Sequence, residues 1–271
     1  MSLVQSLKRN DRQIIFLIVL VLSILPAFYK LNIPLPSFAL TTKAYQAVDA
    51  LKPGDLVLLS FDFNPSQWVE LGPPMKGILT HLFTKGARIV IVSFEETGAG
   101  PPMAERALNE VDKGQAKYGV QYVNLGFIPG LETGMAAFVA NPLRYTNDLY
   151  GTPIQQLEIM NDVKSIQDFK MYVFACYTYV DPWMRQFYGK VPIIIGVLSS
   201  DAIPQVMPWI ASKQLYTAVR GMRGGAEYEA LIKQPGEATS YMDAASLTLT
   251  FGLVIIVVAN YQYLRLKKER K

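Results

Sequence analysis

Residues 55–61 read DLVLLSF and residues 87–94 read ARIVIVSF. Both are short runs of Val, Ile and Leu without the polar alternation of a strand that has one wet face. Such runs predict strands buried on both sides, the habit of a parallel sheet. Between them, Ser66–Lys85 has helical spacing, interrupted or restarted around Gly72-Pro73-Pro74 and closed by Gly86. A strand, a helix and a second strand in that order set the class as α/β.

The same alternation continues downstream. Met103–Val111 predicts a helix with Pro101 and Pro102 at its first turn, and Val120–Ile128 a third strand. Leu131–Asn141 is a helix stopped by Pro142, and Met171–Thr178 is a fourth strand. Trp183–Tyr188 is a short helix, Val191–Leu198 a fifth strand, and Gln205–Val219 the helix after it. Parallel strands need crossover connections, so the expected fold is a Rossmann-like or flavodoxin-like three-layer sandwich with a mostly parallel five-stranded sheet. The strand order stays open at this point.

Two segments break the pattern. Leu143–Phe169 is too long for a plain loop and predicts an excursion with a short helix near Val163–Phe169, serving as a lid or a face for partners. Arg220–Tyr228, RGMRGGAEY, places three glycines where a helix would otherwise continue. It predicts a broken helix that repacks, the alternative being close backbone approach to a subunit or ligand.

Both ends of the chain are apolar. Ile14–Tyr29 carries no charge and follows Lys8, Arg9 and Arg12; Ala244–Leu264 precedes Arg265, Lys267, Lys268, Arg270 and Lys271. A membrane helix needs roughly 20 apolar residues, and positive flanks stay on the cytoplasmic side. The expected organisation is therefore a cytoplasmic flank (1–13), a first transmembrane helix (14–30), an extracytoplasmic α/β domain (31–243), a second transmembrane helix (244–264) and a basic cytoplasmic tail (265–271). Phe28, Tyr29, Tyr261 and Tyr263 suit an aromatic belt. A cleavable signal peptide is the competing reading of the first run. It is disfavoured because the small-residue pattern Ser37-Phe38-Ala39 lies well past the apolar stretch.

The formal charge of +4 comes from these ends: the flanks carry +2 and +4 and the middle is near −2. A basic total of this origin reports topology and gives no support to nucleic-acid binding. One cysteine, Cys176, excludes an intrachain disulfide, and one histidine, His81, excludes any two-histidine metal site. A disulfide-free exported domain of this size suits a prokaryotic cell membrane.

Open parallel sheets bind ligands beyond the carboxyl ends of their strands. A carboxylate follows every expected strand: Asp62, then Glu95 and Glu96, then Glu132, Asp181 and Asp201. Converging, they would form a ligand or hard-cation site, with Tyr177, Tyr179 and Trp183 as an aromatic wall. The competing expectation is that Asp62, Asp181 and Asp201 cap the helices they precede. No GxGxxG or GxxxxGK[ST] follows the first strand, so no nucleotide or other cofactor is expected. The layout resembles glutamine-amidotransferase-like sandwiches in architecture alone, since no nucleophile elbow surrounds Cys176.

The function these readings imply is a non-catalytic subunit or scaffold of a membrane assembly. Its partners would be the bilayer and other membrane subunits or further copies of itself. The alternative is a small-molecule-binding or metal-dependent enzyme using the strand-end carboxylates.

Overall fold

The computed structural model describes residues 3–177 and 179–269. Its sheet has six strands, all parallel: β1 (Leu56–Asp62), β2 (Arg88–Ser93), β3 (Tyr122–Phe127), β4 (Met171–Cys176), β5 (Ile193–Leu198) and β6 (Thr217–Arg220). They lie in the order β3-β2-β1-β4-β5-β6. This is the doubly wound Rossmann order, with its topological switch point between β1 and β4. Thr178, the expected last residue of the fourth strand, lies outside the described residues.

Two cores form because successive side chains of a strand leave on opposite faces. Val57, Leu59 and Phe61 pack with α2 (Ala39–Asp49), α3 (Trp68–Thr84), α4 (Gly100–Glu110) and α8 (Gly221–Leu231). Leu56 and Leu58 pack on the other face with α5 (Glu132–Ala140), α6 (Asp181–Phe187) and α7 (Ile203–Ala211). Right-handed crossovers require this division, since the strand order reverses at β1.

The sixth strand corrects the expected five-stranded sheet. α7 stops at Ala211, and Lys213 takes φ +61°, a left-handed turn that a helix does not contain. The residues beyond, Thr217–Arg220, then pair with β5 from Ile195↔Thr217 to Leu198↔Arg220. Four residues are too few for a strand pattern to show against helical spacing.

The glycine-rich stretch is corrected as well. It is a continuous helix, α8, and its glycines admit the domain's own atoms. A Cβ on Gly224 would lie 2.9 Å from Val219 Cγ1, and one on Gly221, where φ is +39°, would lie 2.6 Å from Glu70 Oε1. Close backbone approach is the reason for glycine at 221 and 224, and the neighbour is this chain itself.

The short helix expected near Val163–Phe169 is the 3-10 helix Ile166–Asp168, and three further 3-10 helices, Pro142–Arg144, Ile154–Gln156 and Glu158–Asp162, precede it. Ile154, Leu157, Ile159, Met160, Val163, Ile166 and Phe169 all point into the core. Leu149 N–H donates to Asn124 O of β3 at 2.9 Å, and Ile159 N–H to Gly119 O at 2.9 Å. The segment thus covers the open edge of β3, one way of protecting unpaired strand donors.

The domain is one compact unit, Pro36–Gly236, and the two end segments form another. In the second unit α1 (Leu3–Phe28) packs along α9 (Glu237–Glu269). Asp243 accepts the N–H groups of Leu31, Asn32 and Ile33 at 2.8, 3.0 and 2.9 Å, which ties the exit of α1 to the start of α9. Among the described residues one helix, Glu237–Arg265, is long and apolar enough to cross a membrane; Arg12–Phe28 is a shorter apolar helix. Arg270 and Lys271 of the basic tail lie outside the described residues.

Candidate functional site

Asp62 ends β1 directly beside Cys176, the last residue of β4, and so occupies the switch point. Ser60 and Asp62 leave β1 on the same face, an i, i+2 polar pair in an apolar strand. Asp62 Oδ1 accepts the Phe94 N–H at 2.6 Å, while Oδ2 accepts Ser60 Oγ at 2.5 Å and the Trp183 indole N–H at 2.8 Å. Ser60 Oγ also meets Tyr172 OH at 2.8 Å. Burial pushes the Asp62 carboxyl up to about 6, with the Glu95 charge adding to it against the pull of the three donors. Burial and the nearby Asp62 likewise raise the Cys176 thiol.

Trp183 closes this place. Its ring stacks on Phe174 at 5.9 Å and 16°, and only 6% of the residue is exposed. Asp62 beneath it is 5% exposed. The crevice in which doubly wound sheets receive ligands is here occupied by an indole whose N–H is spent on the carboxylate.

The remaining carboxylates stand at the same edge, and Glu95, Glu132 and Asp201 have separate local partners. Glu95 Oε2 accepts Thr97 N–H at 3.0 Å, Thr97 Oγ1 at 2.5 Å and Ala99 N–H at 3.3 Å, which shapes the loop into α4. Glu132 takes a two-pronged grip from Arg185, at 2.8 and 2.7 Å, and a third bond from Gln186 at 3.0 Å. The guanidinium and amide hold its carboxyl down to about 2. Asp201 accepts Ser199 Oγ at 2.5 Å, Glu96 is exposed, and Asp181 is the first residue of α6. Among the described residues no group of three or more His, Cys, Asp or Glu is placed to hold a metal ion. The expected aromatic wall also divides: Tyr177 and Tyr179 are exposed, while Trp183 is buried.

The expected caps do not form either. Asn64 caps the 3-10 turn Pro65–Gln67 after β1, Val180 and Ala202 stand at the N-caps of α6 and α7, and neither of those two supplies a side-chain bond. Sequence reasoning also missed Glu70, whose Oε1 accepts Ser200 N–H at 2.6 Å and ties α3 to the loop after β5. The signal for it was Gly221, which a side chain would drive into that carboxylate.

His81 belongs to the opposite end of α3 and is a packing residue. It is 4% exposed, stacked on Tyr45 at 4.8 Å, with Nδ1 3.0 Å from Tyr228 OH. Burial holds its pKa below the ordinary value, so the ring is neutral at pH 7.

No known protein family, curated protein or solved structure matches this chain.

Proposed function

We propose that this chain is a bilayer-tethered α/β module, a non-catalytic subunit or scaffold of a membrane assembly. The observation that carries the reading is the sealed switch point: Trp183 fills the crevice, and Asp62, Glu95, Glu132 and Asp201 are each committed to separate structural partners. A domain of this fold without an open site there offers its surfaces in place of a pocket.

The tether rests on α9 and on its pairing with α1. Glu237–Arg265 spans about 44 Å as a helix, longer than the roughly 30 Å apolar layer of a bilayer. Arg12–Phe28 spans about 26 Å, a shortfall that tilt-free insertion, local thinning and the reach of Lys30 would cover. In this arrangement α1 and α9 both cross, their basic flanks remain in the cytoplasm, and the domain stands outside it. Lateral association with other membrane subunits, or with further copies, follows from confinement to a thin layer.

Two measurements test this. A thiol reagent that cannot cross membranes labels Ser240→Cys in intact cells and spares Ser2→Cys; Cys176 is 2% exposed and contributes little background. Labelling of the second position from outside overturns the topology. The mass of the detergent-solubilised protein exceeds that of one chain plus micelle. A lone chain that a metal ion or small metabolite stabilises against heat would favour the alternative, an enzyme or binder. The observation on that side is Asp62, a carboxyl with proton affinity suited to acid–base work.

A further inference from the structure

The edge opposite the carboxylates has a different character. Three grooves of about 620, 650 and 360 Å³ open among the loops that lead into the strands, and therefore at the amino-terminal edge of the sheet. The first is entered past Lys113 and Lys117 beside Phe83. Lys52, Lys85 and Lys233 line the second with Tyr45, and Lys190 and Lys213 the third with Tyr188 and Tyr216. The carboxylates along these walls are Asp112 and Glu158 in the first groove and Asp49 in the second, so the first lining is balanced in charge and the positive surplus lies in the second and third. Asp49 is already matched by Lys85 at 3.2 Å, and Asp112 accepts the Gly114 N–H at 2.8 Å.

We infer that this edge binds an acidic polysaccharide, a chain of carboxylate-bearing sugars lying across the grooves. The grooves bring together the three things such a chain needs: ammonium groups for the carboxylates, aromatic rings, of which Tyr188 is half exposed, for the sugar face, and amides or hydroxyls for the ring hydroxyls. The last come from Gln115 and Gln121, from Thr80 and Gln234, and from Gln167 and Gln214. No arginine lines any of the three, so attraction is by compact, strongly hydrated ammonium groups, a mode suited to a hydrated polymer. Lysines near helix C-termini also complement the helix dipoles, which explains a lysine after α3 or α8. It does not explain rings and amides gathered beside them in every groove. The inference stands whether or not the chain crosses a bilayer.

The test uses the full chain in detergent and four soluble polymers: polygalacturonate, uncharged dextran, polyglutamate and duplex DNA. Polygalacturonate binds, dextran does not, and affinity falls steadily as salt rises from about 0.05 to about 0.5 M. Lys52→Glu with Lys233→Glu weakens binding about tenfold or more, both residues being exposed on the surface. Tyr188→Ala weakens it at unchanged charge, and Glu96→Lys at the other edge leaves it unaltered. Thermal midpoints stay level across the set, which separates binding from a dipole role. Absence of polygalacturonate binding overturns the inference, as does equal binding of polyglutamate or duplex DNA, or indifference to the lysine reversals.

Discussion

Glu227 and Glu229 stand two residues apart on α8 and hold the two ends of the domain. Glu227 Oε2 accepts the Phe38 N–H at 3.1 Å where the chain enters, and Glu229 Oε2 accepts the Gly236 N–H at 2.8 Å where it leaves. Both carboxylates are buried, and Arg223 pairs with Glu227 at 3.2 Å. Positions i and i+2 diverge by about 200° around a helix, so one turn of α8 reaches both segments. Glu227→Ala leaves the Phe38 donor and the Arg223 charge without their acceptor and should cost about 1–3 kcal/mol, read from denaturant unfolding. Unchanged stability would show that the entry segment is held by other contacts.

Gly236 is under the same constraint from the other side. A Cβ there would lie 2.5 Å from Glu229 Oε1, so Gly236→Ala should destabilise the domain by about 1–3 kcal/mol. The double variant with Glu229→Ala should lose less than the sum of the two single losses, a coupling that a double-mutant cycle measures.

Asp62 gives the fold a pH dependence of unusual sign. Its carboxyl binds a proton more tightly folded, at about 6, than at its ordinary value of 3.8. The folded state therefore gains from acid: stability is highest below about pH 4, declines as pH rises toward 6, and stays lower above it. The difference is about 3 kcal/mol, at 1.36 kcal/mol for each unit. Glu132 acts oppositely, its Arg185 pairing present at neutral pH and lost as pH falls through about 2. Asp62→Asn should flatten the pH 4–6 limb of a denaturation series, and persistence of that limb would assign it to another group.

Trp183→Phe keeps the ring on Phe174 and deletes the indole donor to Asp62. Losing a donor to the charged form should raise the Asp62 titration further, moving the pH limb upward, at a cost of about 1–3 kcal/mol near neutrality. An unmoved limb would mean that the indole N–H does not stabilise the carboxylate.

Gly100→Ala should abolish cooperative unfolding, since its Cβ would collide with the Phe61 carbonyl and the Ser93 hydroxyl. Gly98→Ala, two residues earlier, meets no atom within 4 Å and suffers only for its φ of +69°. Equal effects at the two positions would contradict the close seating of α4.

The sheet was legible wherever strands are buried on both faces, because DLVLLSF and ARIVIVSF leave little else to be. β6 was not, because four residues between a turn and a helix carry no period. The strand-end carboxylates were placed at the correct edge by topology alone. Their separate partners were invisible, since Arg185 for Glu132 and Trp183 for Asp62 are set by how α6 seats, which no local spacing records. The glycines of α8 signal a need for room, but sequence does not name the neighbour, which is Glu70 at Gly221 and Val219 at Gly224.

The turns that cover β3 also restrict how copies of this protein can meet. On that side the hydrogen-bonded ladder is interrupted where Leu149 takes Asn124 O, and β6 offers only four residues on the other. Cross-strand growth into ribbons or fibrils is thereby disfavoured, and a second copy would have to meet this domain through helices and loops.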